Sequence, residues 1–287
     1  MKDFSRCLFK LSFLFVLFGL CAGASAQCKY TTLHIPGALN SAANGINDQG
    51  AIVGVFNTSL TEARAFLLFQ GKFTQFNFPG AVNTVASDIN NHGQIVGAYV
   101  TLFTGAHGFV VHNGVFHSID APQPPGDTQT QALGINNFGV IVGNAGAFDG
   151  FRLSSGHFTT VRFPGSSRTS ASSINDSGAI VGFYRDAAGA NHGFMLKNGH
   201  YTAINFPGAD DSFASHINNE GDIVGFYEMH GDVHGFTLDK GRFLTHDDNA
   251  GFSTVISGVN KFDTIVGNYV DTNAHNQSFK ATCTGVF

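Results

Sequence analysis

Three tyrosine–histidine pairs are the most repeated chemistry-bearing residues of this chain: Tyr99 with His107, Tyr184 with His192, and Tyr227 with His234. A phenol beside an imidazole can donate, accept or relay a proton near neutral pH. Three such pairs along one rim would make a candidate binding surface. Their recurrence also has a plainer reading, in which each histidine hydrogen-bonds its own repeat unit. Sites are more often built from residues that break a repeat. Two segments break it: His246-Asp247-Asp248-Asn249 and the inserted Gln123-Pro124-Pro125-Gly126-Asp127. Asp247 and Asp248 could hold a cation or act as acid and base, although most acidic turns are merely solvated. His230 and His234 stand four residues apart, a metal-pair spacing only on a helix, and here the intervening chain contains Gly. No nucleophile elbow, zinc-protease motif or EF-hand loop occurs. No catalytic residue, metal site or cofactor is therefore expected.

The elements that must position these residues follow from one repeated stretch. Ile46-Asn-Asp-Gln-Gly-Ala-Ile-Val-Gly54 recurs at Ile89–Gly97, Ile135–Gly143, Ile174–Gly182, Ile217–Gly225 and, more weakly, Val259–Gly267. Six units recurring every 39 to 46 residues have the period of a four-stranded propeller blade. Within each unit the first strand ends in Ile-Asn or Val-Asn, and a turn leads to an Ile-Val pair. Adjacent strand residues point to opposite faces, so two apolar β-branched neighbours need burial on both sides, as in a blade between two blades. The Gly after each pair suggests close backbone approach. A third strand opens on Phe66, Phe109, Phe151, Phe194, Phe236 or Phe279, and an aromatic-rich fourth strand ends near Pro in several units. The predicted fold class is all-β: a six-bladed β-propeller of four-stranded blades.

Tyr30–Gly37 matches Tyr201–Gly208, a fourth strand lacking its first three, while the last unit stops at a third strand ending in Cys283. The N-terminal strand is expected to complete the last blade and remove the open edge. Aligned on Asn198-Gly199, Cys283 and Cys28 occupy the two turn positions, which predicts a disulfide in place of the missing peptide link.

Residues 1–26 read as a signal peptide: Lys2, Arg6 and Lys10 are basic, Leu11 to Leu20 is apolar, and Ala24-Ser25-Ala26 is a cleavage site. The apolar run is shorter than the ~20 residues that span a bilayer. Residues 27–287 then form the propeller domain, with no membrane span. Loss of Lys2, Asp3, Arg6 and Lys10 takes the formal charge from −5 to −7, so nucleic acid is not an expected partner.

The pattern I-N-x-x-G-x-I-V-G-x-Y followed by H-G-F resembles the HAF-type extracellular repeats of bacteria. His107-Gly108-Phe109, His192-Gly193-Phe194 and His234-Gly235-Phe236 carry the signature; Arg64-Ala65-Phe66, Asp149-Gly150-Phe151 and Gln277-Ser278-Phe279 depart from it. The resemblance implies an exported repeat protein and supplies no catalytic residue. The expectation is a monomeric bacterial protein, secreted or periplasmic, that binds an unknown extracellular ligand, either a glycan or a protein. The alternatives are a secreted hydrolase or lyase acting on polysaccharide, and a passive surface component.

Overall fold

Period-2 burial and tight Gly turns build every element of the computed structural model, which describes residues 27–59, 61–122, 129–147, 149–247 and 253–284. Residues 1–26, read above as a signal peptide, Asp248 and the Gln123–Asp127 insertion lie outside these residues. Strand β1 (Gln27–Thr32) precedes five complete blades. Blade 1 holds β2 (Asn40–Ile46), β3 (Ile52–Asn57), β4 (Arg64–Phe69) and β5 (Lys72–Phe76). Blade 2 holds β6 (Asn83–Ile89), β7 (Ile95–Val100), β8 (Ala106–His112) and β9 (Val115–Ile119). Blade 3 holds β10 (Thr130–Ile135), β11 (Ile141–Ala145), β12 (Asp149–Ser154) and β13 (His157–Val161). Blade 4 holds β14 (Arg168–Ile174), β15 (Ile180–Arg185), β16 (Asn191–Lys197) and β17 (His200–Ile204). Blade 5 holds β18 (Asp211–Ile217), β19 (Ile223–Met229), β20 (Asp232–Asp239) and β21 (Arg242–His246). Blade 6 combines β22 (Thr254–Val259), β23 (Thr264–Val270) and β24 (Asn276–Thr284) with β1, in the order β1-β24-β23-β22. All six sheets are antiparallel, and the molecule is a six-bladed β-propeller.

The core lies between blades. Ile52 packs with Val266 of blade 6, while its neighbour Val53 packs with Ala86, Ile89 and Phe109 of blade 2. The Ile-Val pair thus buries one side chain in each seam. Phe66, Phe109, Phe194, Phe236 and Phe279 are fully buried and Phe151 nearly so. The repeated Gly makes room for them: a Cβ on Gly54 would collide with the Ala42 carbonyl oxygen and the Phe66 ring.

A circuit of asparagine side chains joins the blades at the inner end of each first turn. Asn47 Nδ2 donates to the Asn90 carbonyl at 3.1 Å, Asn90 to Asn136 at 3.0 Å, and Asn136 to Asn175 at 3.2 Å. Asn175 donates to Asn218 at 3.0 Å, Asn218 to Asn260 at 3.4 Å, and Asn260 returns to Asn47 at 3.2 Å. The other end of each amide holds its own turn. Asn136 Oδ1, for example, accepts from Phe138 N and Val140 N at 3.1 and 3.0 Å. The turn closes on Gly139 at φ 74°; in blade 6 Asp263 takes that conformation at φ 58°. A second set of bonds runs outside the first, with Asn91 N, Asn137 N and Asp176 N each donating to the next blade's Asn137, Asp176 or Asn219 side chain at 2.8 Å. It stops at Lys261, whose side chain has no acceptor.

In β1 and β24, Cys28 pairs directly with Cys283, and the two form a disulfide with a Cα separation of 4.1 Å. Elsewhere this position is a two-residue turn such as Asn198-Gly199, both residues at positive φ, as expected of a tight type I′ hairpin. The bridge occupies the expected place.

Two outcomes follow. Cys28→Ser lowers stability, measured by denaturant unfolding without reductant, by up to about 5 kcal/mol, the chain-entropy ceiling for a loop of this length; no change would mean that β1 is held without the bridge. Asn136→Ala leaves two N–H groups and the Asn175 carbonyl without this partner and lowers stability by roughly 2 to 4 kcal/mol, whereas Phe138→Ser on the same exposed turn is close to neutral.

Candidate functional site

Antiparallel order puts the first-to-second and third-to-fourth turns of every blade on one face, here the turn face. The second-to-third and blade-to-blade connections share the opposite face, here the loop face. The three tyrosine–histidine pairs sit toward the loop face as cross-strand neighbours: Tyr99 opposite His107, Tyr184 opposite His192, and Tyr227 opposite His234. Their ring centroids are 5.1–5.2 Å apart. Each tyrosine also stacks on a phenylalanine of the preceding blade: Phe78 on Tyr99 at 3.6 Å, Phe163 on Tyr184 at 3.6 Å, and Phe206 on Tyr227 at 3.7 Å.

Each histidine is latched to the residue thirteen positions later, at the end of its blade's fourth strand. His107 Nδ1 is 2.6 Å from Asp120, His192 Nδ1 is 3.1 Å from Asn205, and His234 Nδ1 is 3.1 Å from Asp247. Blade 3 reverses the charges, Arg162 pairing with Asp149. His192 Nε2 also meets Asp186 at 3.1 Å, and this hydrogen bond holds the Asp186 carboxyl below the usual range. The pairs stay in three separate blades, and each histidine Nδ1 is engaged within its own blade. Asp247 belongs to this set of latches.

The residues that break the repeat meet in three other places. The first is the central channel. Each inner strand has a bulge three residues before its ring asparagine, at Asn44, Ser87, Leu133, Ser172, Ser215 and Ser257, and the next residue is Gly45, Asp88, Gly134, Ser173, His216 or Gly258. Blades 2 and 5 face each other across the axis, and there His216 Nε2 lies 3.5 Å from Asp88 Oδ1. Asp88 is buried and accepts from Ile89 N at 2.8 Å and from Ile135 N of blade 3 at 3.0 Å. His216 Nδ1 is buried with no hydrogen-bond partner. This crossbar separates the asparagine-ringed mouth from a cavity of about 310 Å³ lined by Ser87, Ser172, Ser215, Ser257 and Asn44, with Val85 and Leu133. Sequence reading passed over Asp88 and His216. Their signal was the residue two before each ring Asn, which reads Gly, Asp, Gly, Ser, His, Gly.

The second place is the loop face itself, which is uneven around the ring. In blade 5 the cross-strand pair Phe213–Phe226 stacks at 4.5 Å, Phe183 of blade 4 meets Phe213 edge-on at 5.1 Å, and Arg168 lies over Phe183 at 5.6 Å. All three rings are only partly buried. Blade 1 has Ala42 and Val55 at the positions of Phe213 and Phe226. The missing volume opens a cleft of about 320 Å³ between blades 6, 1 and 2, lined by Asn40, Asn57, Asn83, Asn268, Asn276 and Glu62. One end of each amide is engaged: Asn83 Oδ1 accepts from Ala63 N at 2.8 Å, Asn40 Oδ1 from Asn276 N at 2.9 Å, and Asn268 Nδ2 donates to Asn276 Oδ1 at 3.0 Å. Asn57 Nδ2 donates to the Ser59 carbonyl at 2.7 Å.

The third place is His246. It is the last residue of β21 rather than part of a solvated turn, and it is buried against the blade 6 disulfide. Burial pushes its pKa down to about 4, against a smaller opposing effect of Asp247.

No family model matches this chain, and no curated protein matches it in sequence. Solved structures match its fold. A TolB-like protein from Agrobacterium tumefaciens superimposes with a TM-score of 0.59 at 13% identity, covering 91% of this chain and 99% of its own. A gluconolactonase from Xanthomonas campestris gives 0.54 at 10% identity, with 90% of each chain covered. The propeller domain of a Pyrococcus furiosus protease, described as having an open velcro topology, gives 0.53 at 12% identity over 86% of this chain and 84% of that one. At these identities the likeness is one of fold. Among the described residues no helix is long and apolar enough to cross a membrane.

The His246 environment yields a pH dependence. The unfolded imidazole takes its proton near 6.5 and the folded one only near 4. Between these values the unfolded state binds more protons, so the contribution is intact above about pH 6.5 and is lost as pH falls toward 4. The difference amounts to about 3 kcal/mol in total. Urea unfolding at pH 7 and 4.5 should show the loss in the wild type and a smaller one in His246→Phe; equal losses would contradict it.

Proposed function

We propose that this protein is an exported binding propeller that takes a polyhydroxylated ligand, a glycan, on its loop face. The amide cleft between blades 6, 1 and 2 carries this reading. An asparagine side chain offers donors and an acceptor at one end, which matches a sugar hydroxyl that must do both. The five amides around Glu62 are preorganised, because each spends one group on the rim framework. The cleft volume of about 320 Å³ lies within the range of small-ligand sites. The aromatic shelf of Phe183, Phe213 and Phe226 on the opposite side of the channel mouth offers a stacking surface for an extended ligand.

The rival reading is a polysaccharide hydrolase or lyase. Glycoside hydrolysis generally uses two carboxylates facing one substrate site. Among the described residues the cleft is lined by one, Glu62, which is ion-paired to Arg64 at 2.7 Å. That arrangement favours binding over turnover. Export is supported by the Cys28–Cys283 bridge, a bond that persists in oxidising compartments, and by the likeness of the repeat signature to HAF-type extracellular repeats.

The test is a glycan array followed by calorimetry on a positive glycan. Asn57→Ala combined with Asn268→Ala should weaken binding at least tenfold, the effect of losing two hydrogen bonds of about 1 kcal/mol each. Phe138→Ser on the turn face should leave affinity unchanged. Binding that survives the double substitution, or release of shortened product from the glycan, would overturn the reading.

A further inference from the structure

Two departures from the repeat meet at the seam between blades 5 and 6. The first is His246. The corresponding residues of blades 1 to 4 are Phe76, Ile119, Val161 and Ile204, each pairing with the same third-strand position. Packing alone therefore asks for an apolar side chain there. The second is the cysteine pair, which replaces a turn only in blade 6. The one blade with a seam imidazole is the one that abuts the one blade with cysteines.

Their atoms converge. His246 Nδ1 lies 3.3 Å from Cys28 Sγ, and Nδ1 and both sulfurs all lie within 4.8 Å of one another. His246 Nε2 is 2.8 Å from Thr237 Oγ1, itself fully buried. A proton on Nε2 shared with this hydroxyl leaves the Nδ1 lone pair directed at the sulfurs, as an outer-shell partner does for a ligating histidine. A disulfide sulfur is a poor partner for that nitrogen. Cys283 and His246 are buried while Cys28 is partly exposed, which provides an entry path.

We infer that Cys28, Cys283 and His246 constitute a Cys2His site for one zinc-class divalent ion when the cysteines are in the dithiol state. Soft thiolates with an imidazole select such an ion, and three protein ligands leave a fourth tetrahedral position for water. A dithiol reductant supplies two electrons and two protons: its own sulfurs become a disulfide, and the Cys28–Cys283 bond becomes two thiols. Metal binding then releases both thiol protons to solvent, and the two thiolates balance the ion's charge. The sulfurs move apart to roughly the 3.8 Å required by two Zn–S bonds of about 2.3 Å. The ring is thereby closed by coordination in one redox state and by a covalent bond in the other. This site is independent of the loop-face ligand.

The probe is cobalt(II), added to full-length mature protein reduced with a phosphine and then challenged with zinc(II). Reduced wild type should bind one equivalent of cobalt with thiolate charge-transfer absorption and intense tetrahedral d–d bands, both abolished by zinc. Oxidised protein should show neither. His246→Phe, which restores the blade 1 residue, should weaken binding about 100-fold, and Thr237→Val about 10-fold, the lower end of outer-shell effects. If the dithiol form is unfolded without metal, zinc should raise the melting temperature of wild type but not of His246→Phe. Absent charge-transfer bands in reduced protein, or equal affinity in wild type and His246→Phe, would overturn the assignment.

Discussion

The circuit of six asparagine side chains is the constraint on which the rest of the propeller depends. Each amide uses its oxygen to hold its own turn and its nitrogen to hold the next blade. Turn formation and blade spacing are therefore one event rather than two. A circuit of this kind closes only when the inner strands stand at the spacing set by the buried phenylalanine wedges farther out. Inner radius and outer splay are thus fixed by two residues per unit, one polar and one aromatic. Because the ring amides are buried, an unmatched member would leave polar groups without water, and this favours a closed circuit over an open one.

Closure of the ring follows from the same logic at its outer end. A row of six blades in sequence would expose the last β24 edge, and β1 covers it by register pairing from Gln27 to Thr32. The propeller domain of the Pyrococcus protease shares the fold with an open topology; here both backbone pairing and a covalent bridge close the circle. The seam this creates between blades 5 and 6 is chemically unlike the others, because it brings His246, Cys28 and Cys283 together.

Repetition and function are separated in space. The buried phenylalanines recur as a wedge in all six blades, and the latch between third and fourth strands recurs in blades 2 to 5, inverted in blade 3 as Asp149–Arg162. The residues that differ from blade to blade are those that shape the loop face and the channel. Ala42 and Val55 against Phe213 and Phe226 turn one seam into a cleft and another into an aromatic shelf. Asp88 and His216 stand where three blades have glycine and one has serine, and they meet across the axis.

The blade count, the four strands per blade, the turn glycines, the buried Ile-Val pairs and the completing N-terminal strand were all legible in the sequence. They follow from a local pattern repeated in six units, and a period of about forty residues leaves few ways to bury two faces of every strand. The cysteine pairing was legible too, because alignment of the terminal fragments placed both residues at one turn. The site was not. Asp88 and His216 lie 128 positions apart and become neighbours only because blades 2 and 5 oppose each other in a closed circle. The amide cleft gathers residues from both ends of the chain, Asn40 and Asn276 among them. His246 read as part of a polar turn because its neighbours are acidic, whereas the register of β21 carries it into the seam. Local pattern determines which elements form and how they stack. Which side chains face one another across the axis, or across the joined ends, is set by ring geometry, and no spacing along the chain encodes it.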